Sequence, residues 1–157
     1  MRPRKVISGG QTGVDRAALE AARDCGIETG GYAPARYMTD IGVDLTLREF
    51  NLMPRGTYAQ RTRLNVRAAD CTLCFMTGDS PGMRVTLDAL AELQRPYLRV
   101  NPFDDFDFVV EAVQRFMRQR RPCWWIVNVA GHRERTHPGI YTRTAAILRA
   151  AWTIGGD

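Results

Sequence analysis

The sequence predicts a three-layer α/β sandwich, in which helices flank a mostly parallel sheet of four to six strands. Three observations predict it. Short apolar runs of strand length alternate with amphipathic stretches of helical length, the pattern of strand–helix–strand units. The run Cys71–Met76 is almost wholly apolar, as a parallel strand covered on both faces must be. A Gly-rich turn, Gly9–Gly13, joins the first apolar run to the first amphipathic stretch. The 157 residues fit one domain and are enough to bury a core.

The elements follow in order. A first strand is expected over about Lys5–Ser8. Apolar Val14, Ala17, Ala18, Ala21, Ala22 and Cys25 then recur at helical spacing and predict a helix over Gly13–Asp24, with Gly26 as its stop signal. Gly30, Gly31, Pro34, Gly42, Pro54 and Gly56 punctuate the next stretch, which reads as a long irregular loop over Gly30–Gly56; so long a loop is usually functional or mobile. Thr57 and Gln60 have the spacing of a capping box at the start of a helix over Tyr58–Ala69. The strand Cys71–Met76 leads through the loop Thr77–Gly82 into a helix over Arg84–Gln94. A strand over Tyr97–Asn101 comes next, then a helix over Phe106–Arg118 with Val109, Val113, Phe116 and Met117 facing inward. A strand over Trp124–Val129, the loop Ala130–Pro138 and a last helix over Gly139–Trp152 complete the chain.

Composition narrows the class. Hydrophobic residues are 45% and charged residues 25% of the chain, an ordinary globular profile. No apolar run reaches the ~20 residues of a membrane span, and no apolar segment follows the basic N-terminus as in a signal peptide; a cytoplasmic protein with no membrane partner is expected. The net charge is +5, and Lys5 is the only lysine among the 22 basic residues. Arginine offers a planar fork for phosphate or carboxylate, although a composition bias accounts for it equally well. A charge this modest and this dispersed makes nucleic acid an unlikely partner. Cys71 and Cys74 have CxxC spacing, but on a strand residues three apart point to opposite faces, so no metal site is expected there.

In open parallel sheets, ligands bind beyond the carboxyl ends of the strands. Three loops are expected at that end: Gly9–Gly13, Thr77–Gly82 and Ala130–Pro138. Each joins a strand to a helix and can aim helix N-terminal N–H groups at an anion. Ser8-Gly9-Gly10-Gln11-Thr12-Gly13 is the sharpest of these signals. Its glycines let backbone approach a phosphate, but it is neither GxGxxG nor a Walker motif ending in GK[ST]. A tight turn without ligand is the alternative. Thr12 and Asp15 also have capping-box spacing, so Asp15 either satisfies backbone N–H groups or meets a ligand. Arg16 beside it pairs with phosphate or stands in solvent. Arg61 and Asn65, four residues apart, share a helix face that is either a donor surface or merely solvated, with Tyr58 one turn earlier. The run His132–His137 offers Arg133 or His132 as a cap over a ligand, or is a solvated loop. No nucleophilic triad is legible, and no catalytic residue is assigned.

At these residues the sequence resembles a known family. Ile7-Ser8-Gly9-Gly10-Gln11-Thr12-Gly13-Val14-Asp15-Arg16-Ala17-Ala18-Leu19 is similar to the opening motif of the molybdenum cofactor carrier family, a circularly permuted branch of the SLOG superfamily. Gly30–Pro34, Tyr58–Arg67, Asn128–Gly131 and Pro138–Tyr141 resemble its later blocks, so the similarity spans nearly the whole chain. The resemblance implies a Rossmann-like fold assembled as a homo-oligomer, a dimer or tetramer. It implies a pocket built from Gly9, Gly10, Gln11, Thr12, Gly13, Asp15, Arg16, Arg61 and Asn65, holding a phosphate-bearing small molecule: molybdenum cofactor or a nucleotide. The alternative it implies is a nucleotide N-glycosidic hydrolase or nucleotide sensor. Gly82 is the candidate contact at the middle loop. There the chain departs from the family's Gly-Gly-Thr, because Pro81 has no N–H to donate and Met83 lacks the hydroxyl. Only Asp40 and Gly42 look familiar in the stretch from Arg36 to Pro54.

Overall fold

Six parallel strands form one sheet in the order β5-β2-β1-β8-β6-β7. We describe residues 2–119 and 125–153 of a computed structural model. The strands are β1 (Lys5–Ile7), β2 (Glu28–Ala33), β5 (Leu52–Pro54), β6 (Cys71–Phe75), β7 (Tyr97–Val100) and β8 (Ile126–Gly131). A two-stranded antiparallel hairpin, β3 (Met38–Thr39) and β4 (Gly42–Val43), stands apart from the sheet. The helices are α1 (Val14–Asp24), α2 (Tyr58–Ala68), α3 (Pro81–Glu92), α4 (Phe106–Gln119) and α5 (Ile140–Trp152). This is the α/β Rossmann-like arrangement that the sequence predicts.

The two faces of β6 separate two cores. Cys71, Leu73 and Phe75 point into the larger, built with Val14, Ala18 and Ala21 of α1, Val113 and Met117 of α4, and Ile147 and Trp152 of α5. Cys74 and Met76 point into the smaller, with Val66 of α2 and Leu90 of α3. Cys71 and Cys74 therefore do face opposite ways, as the strand period requires. Burial pushes the Cys74 thiol up to about 12, so it behaves as an apolar side chain. Val109, Val113, Phe116 and Met117 are buried along α4 as expected. Among the described residues, no helix is long and apolar enough to cross a membrane.

The stretch expected to be one irregular loop over Gly30–Gly56 is instead half built into the sheet. Gly30 and Gly31 are strand residues of β2, not breakers. Gly31 has φ +120°, and a Cβ there would lie 2.5 Å from the Ser8 carbonyl oxygen, so the close approach of β1 demands the glycine. Pro54 is tolerated because β5 is an edge strand with no further neighbour to receive an N–H. The remainder holds two 3₁₀ turns, Ala35–Tyr37 and Leu45–Phe50, whose Leu47 and Phe50 pack with Leu19, Ala33 and Leu52 in a third small core.

Other boundaries shift for local reasons. α3 starts at Pro81 rather than Arg84, because Ser80 caps it by accepting from the Met83 N–H at 3.2 Å. Proline suits the first helical position, whose N–H is unpaired in any helix. The Thr57–Gln60 capping box is present. The one suggested by Thr12 and Asp15 is not: α1 is capped by Gly13 without a side-chain bond. β8 begins at Ile126, and Trp124, where that strand was expected to start, lies outside the described residues.

Candidate functional site

The sheet directs the loops after β1, β6 and β8 to one end, where the amino end of α2 joins them because β5 runs parallel to the rest. Their meeting point is a small, partly open cleft of about 90 Å³. Gln11, Asp15, Tyr58, Arg61, Gly82 and Arg133 are among the residues lining it. Of the four glycines expected at the site, Gly13 and Gly9 stand in close approaches and Gly82 does not.

Gly13 has φ +83°, and a Cβ there would stand 2.5 Å from the carbonyl oxygen of His132. That approach lets Val14 N–H donate to His132 O at 3.2 Å, tying the start of α1 to the end of β8. At Gly9 a Cβ would lie 1.5 Å from Arg61 Nη1, so a side chain there would displace the guanidinium from its place beside Asp15. Gly82 differs, since nothing lies within 4 Å of where its Cβ would be. It borders the cleft through open space rather than through a tight fit.

Asp15 and Arg61 form the floor. The Asp15 carboxylate is buried, accepts the Gln11 N–H at 3.2 Å and lies 3.7 Å from Arg61 Nη1. Desolvation by burial is the largest influence on it and raises its pKa to about 6; the Arg61 charge opposes that rise, as do the Gln11 N–H and Arg133, while Asp40 adds to it. Arg61 is only 12% exposed along its side chain, and burial holds its pKa below the usual arginine range, opposed by Asp15. Its Nε is buried and has no hydrogen-bond partner. A buried guanidinium donor without an acceptor costs free energy. Arg133 stands over the ring of Tyr58, 5.5 Å from its centroid, at the cleft wall.

Several predicted residues serve the scaffold. Asn65 is 2% exposed, and its amide is spent on Tyr32 of β2, donating to the carbonyl at 2.9 Å and accepting from the N–H at 2.8 Å. It shares the α2 face with Arg61 but braces α2 against the sheet. Arg16 points away from Asp15, pairing with Asp44 at 3.2 Å and Glu20 at 3.6 Å, 4.8 Å above Phe50. Gln11 and Thr12 turn toward the β3–β4 hairpin: Gln11 Nε2 donates to Met38 O, Gln11 Oε1 accepts from Asp40 N, and Thr12 Oγ1 donates to the Asp40 carboxylate. The N–H groups expected to face a ligand at this loop are thus partly engaged, Gln11 N by Asp15 and Thr12 N by Asp40. Gly10 N–H points back to Ser8 Oγ at 3.4 Å.

The middle loop is pinned from the side. His132 is buried, stacks on His137 at 3.8 Å, and its Nε2 accepts the Thr77 N–H at 3.1 Å. Among the described residues, no three His, Cys, Asp or Glu side chains come together as a metal site. Sequence reasoning missed the role of Asp40. Its signal was weak, one acidic residue at a turn before Gly42, and its partners lie 28 residues away.

This fold, with its cleft at one end of the parallel sheet, defines a Rossmann-like α/β protein. The chain belongs to the Circularly permutated YpsA SLOG family, whose defining pattern matches residues 6–152. Its structure is similar to the crystal structure of the putative molybdenum carrier protein from Syntrophus aciditrophicus SB, with 30% identity, a TM-score of 0.84 and 94% of each chain covered. No curated protein matches it.

Proposed function

We propose that this chain binds and carries a phosphate-bearing small molecule, a cofactor such as molybdenum cofactor or a nucleotide, with the anionic group seated against Arg61 and Arg133. One observation carries the reading: Arg61, held to Asp15 only by a 3.7 Å charge contact and with its Nε unpartnered, lines an open cleft together with Arg133. A ligand oxyanion in that cleft offers the guanidinium fork a charged partner. Arg133 adds a second charge, and Gly82 at the start of α3 leaves backbone approachable on the opposite wall. The similarity to a protein named a molybdenum carrier supports the cofactor choice. The residues fit its phosphate rather than its metal, because the thiols of Cys71 and Cys74 are buried in the cores on either side of β6. We also propose that the chain assembles as a homo-oligomer, as the resemblance of its sequence motifs implies.

The test is a thermal-shift panel of nucleotides, pterin phosphates, isolated molybdenum cofactor and molybdate. A ligand at 100 times its Kd stabilises by about 2.7 kcal/mol, which raises Tm by roughly 5–11 °C for a chain of this size. The shift should vanish in a folded Arg61→Met variant. A shift that survives in that variant would place the ligand elsewhere.

A second reading rests on Asp15. A buried carboxyl titrating at about 6 is suited to proton transfer near neutral pH, as hydrolysis of an N-glycosidic bond requires. Free base released from nucleoside monophosphates by the wild type, and not by Asp15→Asn, would favour that reading over a carrier.

A further inference from the structure

Two clefts flank the Gly-rich loop, and Gln11 borders both. The first holds Asp15, Arg61 and Arg133. The second, of about 470 Å³, is lined by Gly10, Thr12, Gly13, Arg16, Asp40 and Tyr141 among others. On the side of the second cleft the hairpin β3–β4 brings the carboxylate of Asp40 onto the loop. Thr12 Oγ1 lies 2.9 Å from both of its oxygens, and Thr12 N–H donates to Oδ1 at 3.4 Å. Gln11 secures the hairpin at both ends of its amide, to Met38 O at 3.2 Å and from Asp40 N at 3.1 Å. Arg135 Nη2 donates to the Asp40 carbonyl at 3.1 Å.

A backbone N–H and a hydroxyl at the mouth of a helix are the donors that such a loop offers to a phosphate oxygen. Here a protein carboxylate, itself a pair of anionic oxygens, already sits on them. We infer that Asp40 limits the site to ligands carrying a single anionic group, by filling from within the donor position that a second phosphate would use. The inference rests on the proposed seat of the anion at Arg61 and Arg133. A ligand with one phosphate meets those arginines and leaves Thr12 to Asp40. A diphosphate running along Gly9–Gly13 would bring its second charge against Asp40 in a partly desolvated place, where like charges repel more than in water. The Asp40 charge does reach across the loop, since it contributes to the raised pKa of Asp15.

Equilibrium dialysis of the whole chain against orthophosphate, pyrophosphate and tripolyphosphate at moderate salt tests this without assuming the organic part of the ligand. The wild type is expected to bind orthophosphate and to gain nothing from the longer chains. Asp40→Ala should tighten pyrophosphate and tripolyphosphate by about tenfold while moving orthophosphate by less than about threefold, the size of effect expected from removing one opposed charge. Asp40→Asn, which keeps an acceptor for Thr12 but removes the charge, should show the same direction and serves if the alanine variant does not fold. A folded variant with an unchanged preference would overturn the assignment, as would equal weakening of all three anions, which would make Asp40 a brace only. Binding of all three anions that depends on Arg61 but ignores Asp40 would leave the proposed function standing and remove this inference alone. No binding of orthophosphate to the wild type would remove both.

Discussion

Asp15 Oδ2 lies 3.7 Å from Arg61 Nη1, both side chains nearly out of solvent, on helices that follow different strands of the sheet. The separation is too long for a hydrogen bond, so the pair is held by charge while Arg61 Nε stays without an acceptor. Desolvation outweighs the arginine's pull on the carboxyl, and that imbalance has a measurable consequence.

The Asp15 pKa is raised on folding from 3.8 to about 6. A raised carboxyl binds its proton more tightly in the folded state, so its contribution to stability is fully present below the unfolded pKa. It is lost as pH rises between about 4 and 6, and it stays lost above. At 1.36 kcal/mol per unit, the loss is about 3 kcal/mol. Chemical denaturation from pH 4 to 7 should therefore show a downward slope for the wild type that Asp15→Asn flattens. Parallel curves for the two proteins would mean the carboxyl titrates normally.

Asn65 predicts a stability effect without a binding effect of its own. Its amide satisfies both the N–H and the carbonyl of Tyr32 at 2% exposure. Asn65→Ala strands two backbone groups and opens a small void, at a cost of about 2–4 kcal/mol. Urea midpoints should fall accordingly, and a folded Asn65→Ala at low temperature should still bind whatever the wild type binds. Loss of binding with unchanged stability would return Asn65 to the ligand's side.

His132 predicts the opposite pH direction. Burial, followed by the neighbouring His137, lowers its pKa below 6.5, and its Nε2 must be unprotonated to accept from Thr77 N–H. A histidine with a depressed folded pKa contributes stability above the unfolded value and loses it as pH falls through the folded value. Titration followed by NMR should find His132 protonating below pH 6.5, with the Thr77 amide shifting alongside it. A Thr77 amide that ignores the transition would sever the link between the two loops.

Much of this molecule can be read along the chain. The α/β class, all five helices, the inward face of α4 and the Thr57–Gln60 capping box follow from period, composition and short-range spacing, because those signals involve neighbours within a turn or two. Gly9, Gly13, Asp15 and Arg61 were expected to lie together at a Gly-rich loop and a helix face, and the fold gathers them at one end of the sheet. Strands β2 and β5 were not legible. The glycines and proline that read as breakers are there because Ser8 crowds Gly31 and because β5 has a free edge, and both conditions come from strand order. The division of roles was hidden for the same reason. Whether Asn65 faces a ligand or Tyr32, whether Thr12 offers its N–H or gives it to Asp40, and whether Arg61 keeps an unpaired nitrogen depend on partners about 30 residues away or more. The sequence by itself determined which elements form and which side chains could meet an anion. Only tertiary structure decided which of them remain free to do so, because a hydrogen-bonding group buried in a fold is defined by the partner that packing brings to it.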